Sequence, residues 1–310
     1  MTILITGGTG GVGKNLQTSF QRNNLSGLFV GREGGKYDLT CYDKTRQLFL
    51  DTRPTTVVFL SANVGGIGYN KANPASLIRD NLLMGINMLD AAVEFNIRNL
   101  YITSTCCSYP KFCSIPQKED DLWNGFPEET NSGYGISKKT IIKMSQDYRE
   151  QFGLKTTCFI LANLYGLYDT FDPNRSHVVP ALIKKFIEAK ETNKPFVECW
   201  GTGKASRDLL FSGDVCDIIT KSIINHFDYH DPINVGSGSD ITIYDLAHLI
   251  KELTGYHGNI VFTGEVSDGQ PKRLLDTSRA KKLLNWTATT TLTDGLKQTI
   301  AWYQENREYR

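Results

Sequence analysis

Ile3-Leu4-Ile5-Thr6-Gly7-Gly8-Thr9-Gly10-Gly11-Val12-Gly13 is the stretch that decides the fold of this 310-residue chain. Its first four residues predict a short buried strand, and a helical period follows over residues 13–22. Glycines spaced three residues apart permit a tight turn and let a pyrophosphate approach the amides at the helix N-terminus, which a merely flexible turn would not require. The residues predicted to hold a dinucleotide here are Gly7, Gly10, Gly11, Val12 and Gly13.

Short apolar runs alternate with longer segments of helical period through the first half of the chain, which is typical of a parallel sheet crossed by helices. The predicted strands cover residues 3–6, 28–30, 57–60, 100–103 and 157–161. Helices are predicted over residues 13–22, 78–95 and 135–151. This order predicts an α/β fold of Rossmann type, with a doubly wound parallel sheet.

The regular alternation ends after Asn163, where a loop rich in Asp, Asn and Pro covers residues 165–176. Further elements are predicted as helices over 179–192, from 214 and over 242–254, and as strands over 209–212 and 233–235. We expect a dinucleotide-binding domain over 1–165 with a return segment near 208–235. Residues 166–207 and 236–310 would then form a smaller C-terminal α/β substrate lobe.

The composition is that of an ordinary globular protein, with 40% hydrophobic and 22% charged residues. Lys and Arg total 34 against 33 Asp and Glu, and no run of like charge marks a surface for nucleic acid or an acidic membrane. The first residues lack a basic region followed by an apolar stretch, so we expect a cytoplasmic protein. Seven scattered cysteines and five histidines form neither a disulfide framework nor a metal-ligand spacing, and no metal is predicted.

Gly133-Tyr134-Gly135-Ile136-Ser137-Lys138 places a tyrosine and a lysine on one face of a predicted helix. An ammonium beside a phenol favours the phenolate, so Tyr134 is expected to act as acid and base near neutral pH. This is the chemistry of carbonyl reduction. The same pair occurs by chance in many helices, and the glycine turn at the start of the chain is what favours the catalytic interpretation.

The residue that ends the second strand distinguishes the nicotinamide cofactors. An acid there accepts the ribose hydroxyls of NAD, whereas an arginine accommodates the extra phosphate of NADP. The chain reads Val30-Gly31-Arg32-Glu33, with glycine in the acidic position. NADPH is therefore the predicted cofactor, with Arg32 at its phosphate. The alternative for Arg32 is a solvated loop charge.

Ser104-Thr105-Cys106-Cys107-Ser108-Tyr109-Pro110 ends the fourth predicted strand, about thirty residues before Tyr134. A hydroxyl here can bond a substrate carbonyl oxygen and complete the pair of Tyr134 and Lys138. Together they resemble the catalytic triad of the extended short-chain dehydrogenase/reductase superfamily, in its sugar-nucleotide branch.

Several blocks make the resemblance narrower. They are Ala62-Asn63-Val64-Gly65-Gly66-Ile67, Cys107-Ser108-Tyr109-Pro110-Lys111, Asn163-Leu164-Tyr165-Gly166, Ser176-His177-Val178-Val179-Pro180-Ala181-Leu182-Ile183, Trp200-Gly201-Thr202-Gly203, and Asp268-Gly269 followed by Arg273-Leu274-Leu275-Asp276. In this order they cover nearly the whole chain and resemble the GDP-L-fucose synthase family. That family epimerises GDP-4-keto-6-deoxymannose and reduces it with NADPH.

The resemblance implies a role for each matching residue. Cys107 and His177 would exchange protons at C3 and C5 of the sugar, which the C4 ketone makes acidic. Tyr134 would protonate the C4 oxygen, Lys138 would hold the cofactor ribose, and Thr105 would anchor the carbonyl. Implied substrate contacts are Asn163, His177, Lys185, Trp200, Arg207 and Lys272. Further implied cofactor contacts are Asp38, Leu39, Ala62, Tyr134, Lys138, Leu161, Asn163, Leu164 and His177. A homodimer that pairs helices 78–95 and 135–151 is implied as well.

Some positions depart from the family pattern and leave alternatives open. Ser104 replaces Thr105 if the register shifts by one residue, and Cys106 replaces Cys107 in the same way. Asn63 stands where the family often has lysine, and Lys185 stands where it has arginine, so the substrate could be a related GDP-4-keto sugar such as a keto-heptose that is only reduced.

Two other functions compete with this one. A 4-epimerase or dehydratase would retain tightly held NAD, although dehydratases normally carry an acidic residue beside the hydroxyl, where this chain has Cys106 and Cys107. A non-catalytic NADP sensor would have no need of Tyr134 and Lys138.

Overall fold

The computed structural model describes residues 2–31, 33–264 and 269–308. Its strands are β1 (Ile3–Thr6), β2 (Leu28–Val30), β3 (Thr56–Phe59), β4 (Asn99–Thr105), β5 (Thr156–Leu161), β6 (Asn163–Tyr165), β7 (Phe196–Cys199), β8 (Ser206–Arg207), β9 (Leu209–Phe211), β10 (Ile233–Val235), β11 (Ile241–Thr242), β12 (Asn259–Phe262) and β13 (Lys272–Arg273). Its α-helices are α1 (Gly11–Arg22), α2 (Tyr42–Thr52), α3 (Ile67–Ala72), α4 (Pro74–Glu94), α5 (Ser132–Phe152), α6 (Val178–Glu191), α7 (Ser212–Ile224), α8 (Ile243–Thr254), α9 (Ser278–Leu284) and α10 (Leu292–Glu305).

The main sheet has six parallel strands in the order β2-β1-β3-β4-β5-β10. All residues of β1 and β3 are buried, as the apolar runs predicted for a sheet covered on both faces. The predicted doubly wound fold is confirmed. The chain runs from β1 outward to β2 and then crosses to β3, and this reversal opens a crevice at the carboxyl ends of β1 and β3.

The return to the sheet is made by β10, where Ile233 lies opposite Phe159 of β5. The predicted strand at 209–212 also exists as β9, but it pairs with β6 in a separate two-stranded sheet. The predicted cap of Thr242 is present too, since its hydroxyl accepts a hydrogen bond from the amide of Asp245 at 3.0 Å.

Helices α4 and α5 pack against each other beside the sheet. A Cβ built at Gly85 of α4 would meet the side chain of Ile141 of α5 at 2.5 Å, so glycine is what allows the two helices to come this close. Tyr148 of α5 also donates a hydrogen bond to Asp90 of α4 at 2.6 Å. These contacts fix the helix that carries Tyr134 and Lys138.

Buried apolar side chains form two clusters, and residues after 236 contribute to both. The first surrounds the main sheet and includes Leu275 and Trp286, and the second includes Phe186, Leu246 and Leu296. The boundary drawn between the two domains from the sequence stays a prediction. Among the described residues, no helix combines the length and the apolar character needed to cross a membrane.

Candidate active site

A cavity of about 1090 Å³ lies at the carboxyl edge of the main sheet and collects most of the predicted site residues. The predicted residues that line it are Gly10, Gly11, Val12, Ala62, Thr105, Cys107, Tyr134, Lys138, Leu161, Asn163, Leu164, His177, Lys185, Trp200 and Arg207. Because parallel strands end at the same edge, β1, β4 and β5 deliver side chains that are far apart in sequence to one place.

Five predicted residues that the structure describes do not line this cavity, and the first of them is Gly7 of the glycine turn. Asp38 accepts hydrogen bonds from the amide and hydroxyl of Thr40, and Leu39 is buried with its carbonyl bound to Asn87. Lys272 pairs with Asp240 at 3.0 Å and lines a separate, smaller depression. Gly13 lies beneath the glycine turn rather than on the cavity wall.

One predicted cofactor contact and one residue of the family blocks lie outside the described residues. They are Arg32, predicted at the cofactor phosphate, and Asp268 of the last family block.

The glycine turn has the close contacts expected of a pyrophosphate site. Gly7 has a φ of +73°, and a Cβ there would lie 2.9 Å from the amide nitrogen of Ser61. A Cβ at Gly13 would lie 2.5 Å from the carbonyl oxygen of Gly7, so the first turn of α1 sits directly on the loop. No side chain caps the N-terminus of α1, which leaves its first amides to bind an anion. The turn therefore fits the phosphates of a dinucleotide.

Tyr134 and Lys138 lie on the buried face of α5, where they are 8% and 2% exposed. The ammonium of Lys138 donates a hydrogen bond to the carbonyl of Thr103 at 3.2 Å, and burial lowers its pKa to about 8. Burial also raises the pKa of Tyr134, and the nearby thiols of Cys107 and Cys106 act in the same direction.

The expectation that Lys138 lowers the pKa of Tyr134 is therefore wrong for this structure. Desolvation of the phenolate is the largest cause of the raised pKa, and the thiols add to it. Tyr134 consequently keeps its proton at neutral pH, as a proton donor must.

The end of β4 presents two hydroxyls to the cavity. Thr105 is half-buried and its hydroxyl accepts a hydrogen bond from the amide of Cys107 at 3.2 Å. Ser104 is 5% exposed, and its hydroxyl has no hydrogen-bond partner among the described residues. Both residues line the cavity, with Thr105 the more accessible of the two.

Cys106 and Cys107 occupy a single 3₁₀ turn after β4, and their pKa values are shifted in opposite directions. The hydrogen bond from Cys106, the charge of Arg273 and a hydrogen bond from Thr105 hold the pKa of Cys107 well below its usual value, against the effect of burial. The hydrogen bond to Cys107, together with burial, raises the pKa of Cys106. Cys106 also donates to Asn163 Oδ1 at 3.4 Å. Cys107 is therefore the more readily ionised thiol of the pair.

His177 stands at the N-cap position of α6 and lines the same cavity. Burial lowers its pKa, the thiolate of Cys107 opposes this, and Arg273 adds to it. An imidazole and a thiol whose pKa values are both lowered thus face one cavity from different elements of the fold.

Arg207, Lys185 and Trp200 lie on the side of the cavity formed by the second half of the chain. Arg207 is 6% exposed and donates to the carbonyls of Ser206 and Gln270 at 2.8 and 2.7 Å. Burial and the neighbouring Arg273 lower its pKa to about 10, so it remains a cation at neutral pH. Lys185 lies 5.3 Å from the ring centroid of Trp200, which is 58% exposed at the rim.

The sequence arguments assigned no role to Arg273 and Asp169, which both line the cavity. Arg273 belongs to a quoted family block, but its contact with Cys107 spans 166 residues of sequence and only the fold reveals it. Asp169 follows Tyr168, whose carbonyl would lie 2.9 Å from a Cβ on Gly11. Burial raises the pKa of Asp169 to about 7, which reduces the negative charge next to the proposed phosphate site.

Comparison with known proteins gives consistent matches over the whole chain. The NAD dependent epimerase/dehydratase family matches residues 3–236. A GDP-L-fucose synthase of Sinorhizobium fredii is 35% identical over 98% of this chain and 96% of its own length.

Two solved structures are also similar. A GDP-6-OMe-4-keto-L-xylo-heptose reductase of C. jejuni matches with a TM-score of 0.93 and 28% identity over 98% of this chain and 97% of its own. A GDP-L-fucose synthetase of Naegleria fowleri bound to NADP matches with a TM-score of 0.90 and 28% identity over 99% of this chain and 93% of its own.

Proposed function

The chain belongs to the NAD dependent epimerase/dehydratase family, among its GDP-L-fucose synthase relatives, and we propose that it epimerises a GDP-4-keto-6-deoxy sugar at C3 and C5 and reduces it at C4. One observation carries the proposal. The cavity that holds Tyr134 and Lys138 also holds the readily ionised thiol of Cys107 and the imidazole of His177. A reductase needs only the first pair, and an epimerase of this kind needs the second.

NADPH is the cofactor, and the residues of the cavity fit it. The glycine turn and the uncapped N-terminus of α1 suit its phosphates, and Lys138 is a buried cation near the position expected for its ribose. When bound, NADPH supplies the hydride that reduces C4. The predicted contribution of Arg32 to its extra phosphate remains part of the proposal.

In the epimerisation, Cys107 acts as the base and His177 acts as the acid. A C4 ketone acidifies the hydrogens on C3 and C5, so a thiolate can remove one of them and leave an enolate. The hydroxyls of Thr105 and Tyr134 can donate to the enolate oxygen. His177, after taking up a proton from solvent, donates it as an imidazolium to the other side of the ring, which inverts the carbon and leaves a neutral imidazole. The pKa of Cys107 is held below its usual value, chiefly by the hydrogen bond from Cys106, and burial lowers the pKa of His177, so each group can give up the proton that it has gained.

Reduction uses Tyr134 as the acid. Hydride arrival at C4 turns the carbonyl oxygen into an alkoxide, which is basic enough to take a proton from a phenol of raised pKa. Lys138 keeps a positive charge close to this transfer. Arg207, Lys185 and Trp200 are proposed to hold the diphosphate and the adjoining part of the substrate, with Asn163 near the sugar. Lys272 is not included, because it pairs with Asp240 outside the cavity.

The two halves of the reaction can be separated experimentally. The protein is incubated with GDP-4-keto-6-deoxymannose and NADPH in deuterated water, and the product is analysed by NMR. We expect deuterium at C3 and C5 and hydride at C4. Cys107→Ser and His177→Asn should lose deuterium incorporation, whereas Tyr134→Phe should keep it and lose NADPH oxidation. Absence of both reactions in the wild-type protein would refute the proposal.

A second candidate is a C4 reductase for a related GDP-4-keto sugar, such as a 6-deoxy-heptose. The observation that favours it is the structural similarity to the heptose reductase. The same experiment distinguishes it, because a pure reductase consumes NADPH without introducing deuterium at C3 or C5.

We also propose that the protein forms a homodimer through α4 and α5. Leu83 on α4 is 37% exposed and Phe152 at the end of α5 is 50% exposed, which leaves apolar surface on the helix pair. Light scattering should give twice the chain mass, and Leu83→Asp should shift it to that of one chain.

The need for a reduced Cys107 supports a cytoplasmic location.

A further inference from the structure

Arg273 is a buried guanidinium without a carboxylate partner. It is 4% exposed, lies on β13 and occurs in none of the ion pairs found within the described part of the chain. Its two hydrogen bonds go to Gln270 Oε1 at 2.9 Å and to Cys107 Sγ at 3.3 Å. A cation taken out of water is stable only when an anion or several acceptors compensate for its lost hydration. The sulfur of Cys107, 3.3 Å from the guanidinium, is the group in contact with it that can carry a negative charge.

Gln270 fixes the direction in which Arg273 points. Its side-chain amide donates to the carbonyls of Pro110 at 3.3 Å and Lys111 at 3.0 Å, which follow the cysteine turn. Its backbone carbonyl oxygen accepts a hydrogen bond from Arg207 at 2.7 Å. One buried glutamine thus joins the segment after Cys107 to the segment that carries Arg273.

Other ionisable groups face Cys107 from the elements packed around it. Cys106 lies on the same turn, His177 precedes α6, Tyr134 lies on α5 and Arg207 lies on β8. Arg207 is the guanidinium among them, and two of its hydrogen bonds go to the backbone carbonyls of Ser206 and Gln270. Two carboxylates act at longer range, Asp208 on Cys106 and Glu128 on Arg273. Arg273 donates a hydrogen bond to the sulfur itself, at 3.3 Å.

We propose that Arg273 is a positioning residue that keeps Cys107 ionised and aimed into the cavity, with Gln270 holding the guanidinium in place. The inference rests on the proposed function for its catalytic meaning, because a thiolate is useful only if Cys107 exchanges protons with substrate. The state of Cys107 itself can be measured without any substrate.

The experiment measures the rate at which iodoacetamide alkylates Cys107 as a function of pH, by peptide mass spectrometry, in the full-length protein. We expect the wild-type rate to be already near its plateau at neutral pH. Arg273→Met should move the profile upward by at least about one pH unit, which is a tenfold loss of alkylation in slightly acidic buffer. Arg273→Lys keeps the charge and should fall between the two.

Arg279→Met is the matched control, because Arg279 is also partly buried but bonds to Asp120 and Pro232 and does not touch Cys107. Its profile should coincide with that of the wild-type protein. An Arg273→Met profile that coincides with wild type would overturn the proposal. If Arg273→Met does not fold, Gln270→Leu takes its place as the test. This variant keeps the guanidinium but removes its hydrogen bond to Gln270, so the pH profile of alkylation should still shift upward. An unshifted profile would refute the positioning role of Arg273.

Deuterium incorporation at C3 and C5 without net reduction gives the second readout. In Arg273→Met it should fall at least about tenfold near neutral pH and recover in alkaline buffer, as Cys107 ionises unaided. If the wild-type protein incorporates no deuterium, the proposed epimerisation is wrong, while the alkylation profiles still test the pairing of Arg273 with Cys107.

Discussion

Gly135→Ala tests whether the position of α5 relative to the cysteine turn controls the reaction. A Cβ at residue 135 would lie 3.1 Å from the carbonyl carbon of Cys107, closer still to its oxygen, and 3.2 Å from Pro127 Cβ. These neighbours are backbone and a proline ring, which cannot rotate away. The helix that carries Tyr134 and Lys138 must therefore move off the turn that carries Cys107.

The expected size of the effect follows from that contact. Restoring ordinary van der Waals separation needs a shift of about 1 Å, and a misplacement of that size costs roughly a hundredfold in rate when reacting groups must be aligned. Stability should change less. Alanine gains about 1 kcal/mol over glycine in a helix, and this offsets part of an overpacking cost of about 1–3 kcal/mol.

The assay compares kcat for NADPH oxidation with the midpoint of urea unfolding. Gly85→Ala is the matched control, because the new methyl would meet the flexible side chain of Ile141, away from the cavity. We expect Gly135→Ala to lose about a hundredfold in kcat with little loss of stability, and Gly85→Ala to lose stability with near-normal kcat. A kcat for Gly135→Ala within threefold of wild type would refute the argument.

Three further predictions concern the cofactor turn and the catalytic pair. Gly13→Ala should abolish NADPH binding measured by fluorescence, because its Cβ would lie 2.5 Å from the carbonyl oxygen of Gly7; retained affinity would contradict this use of the turn. Tyr134→Phe should lower NADPH oxidation by about 10²–10⁴-fold through loss of the proton donor while deuterium still enters at C3 and C5, and unchanged oxidation would exclude Tyr134 as the acid. Lys138 has a pKa of about 8 in the folded protein against its usual 10.5. Between these two pH values the unfolded chain binds more protons than the folded chain. The free energy of unfolding of the cofactor-free protein should therefore rise with pH across this window, by at most about 3 kcal/mol. Urea unfolding of Lys138→Met, compared with wild type at pH values below and above that window, should lack this rise, and a parallel pH dependence in the two proteins would show that Lys138 is not desolvated.

The first part of the fold follows from local patterns. Apolar runs such as residues 3–6 and 157–161 can be stable only when both faces of the strand are covered, and the glycines after β1 suit only a turn that presses against a helix. Residues 13, 134 and 138 could be assigned from their spacing, because a tight glycine turn and a shared helix face each depend on residues only a few positions apart. The elements of the C-terminal half are less predictable from sequence, because short strands such as β8 and β13 have only two residues each and carry no periodic signal.

The sequence by itself determined the doubly wound sheet, the dinucleotide turn and the identity of most residues around the cavity, because each depends on patterns within a few residues or on family blocks. Only the tertiary structure decided their charge states. The pKa of Tyr134 depends on how deeply α5 is buried, and that of Cys107 on an arginine 166 residues away. Desolvation and Coulomb interactions act through space, so no local pattern in the chain encodes them.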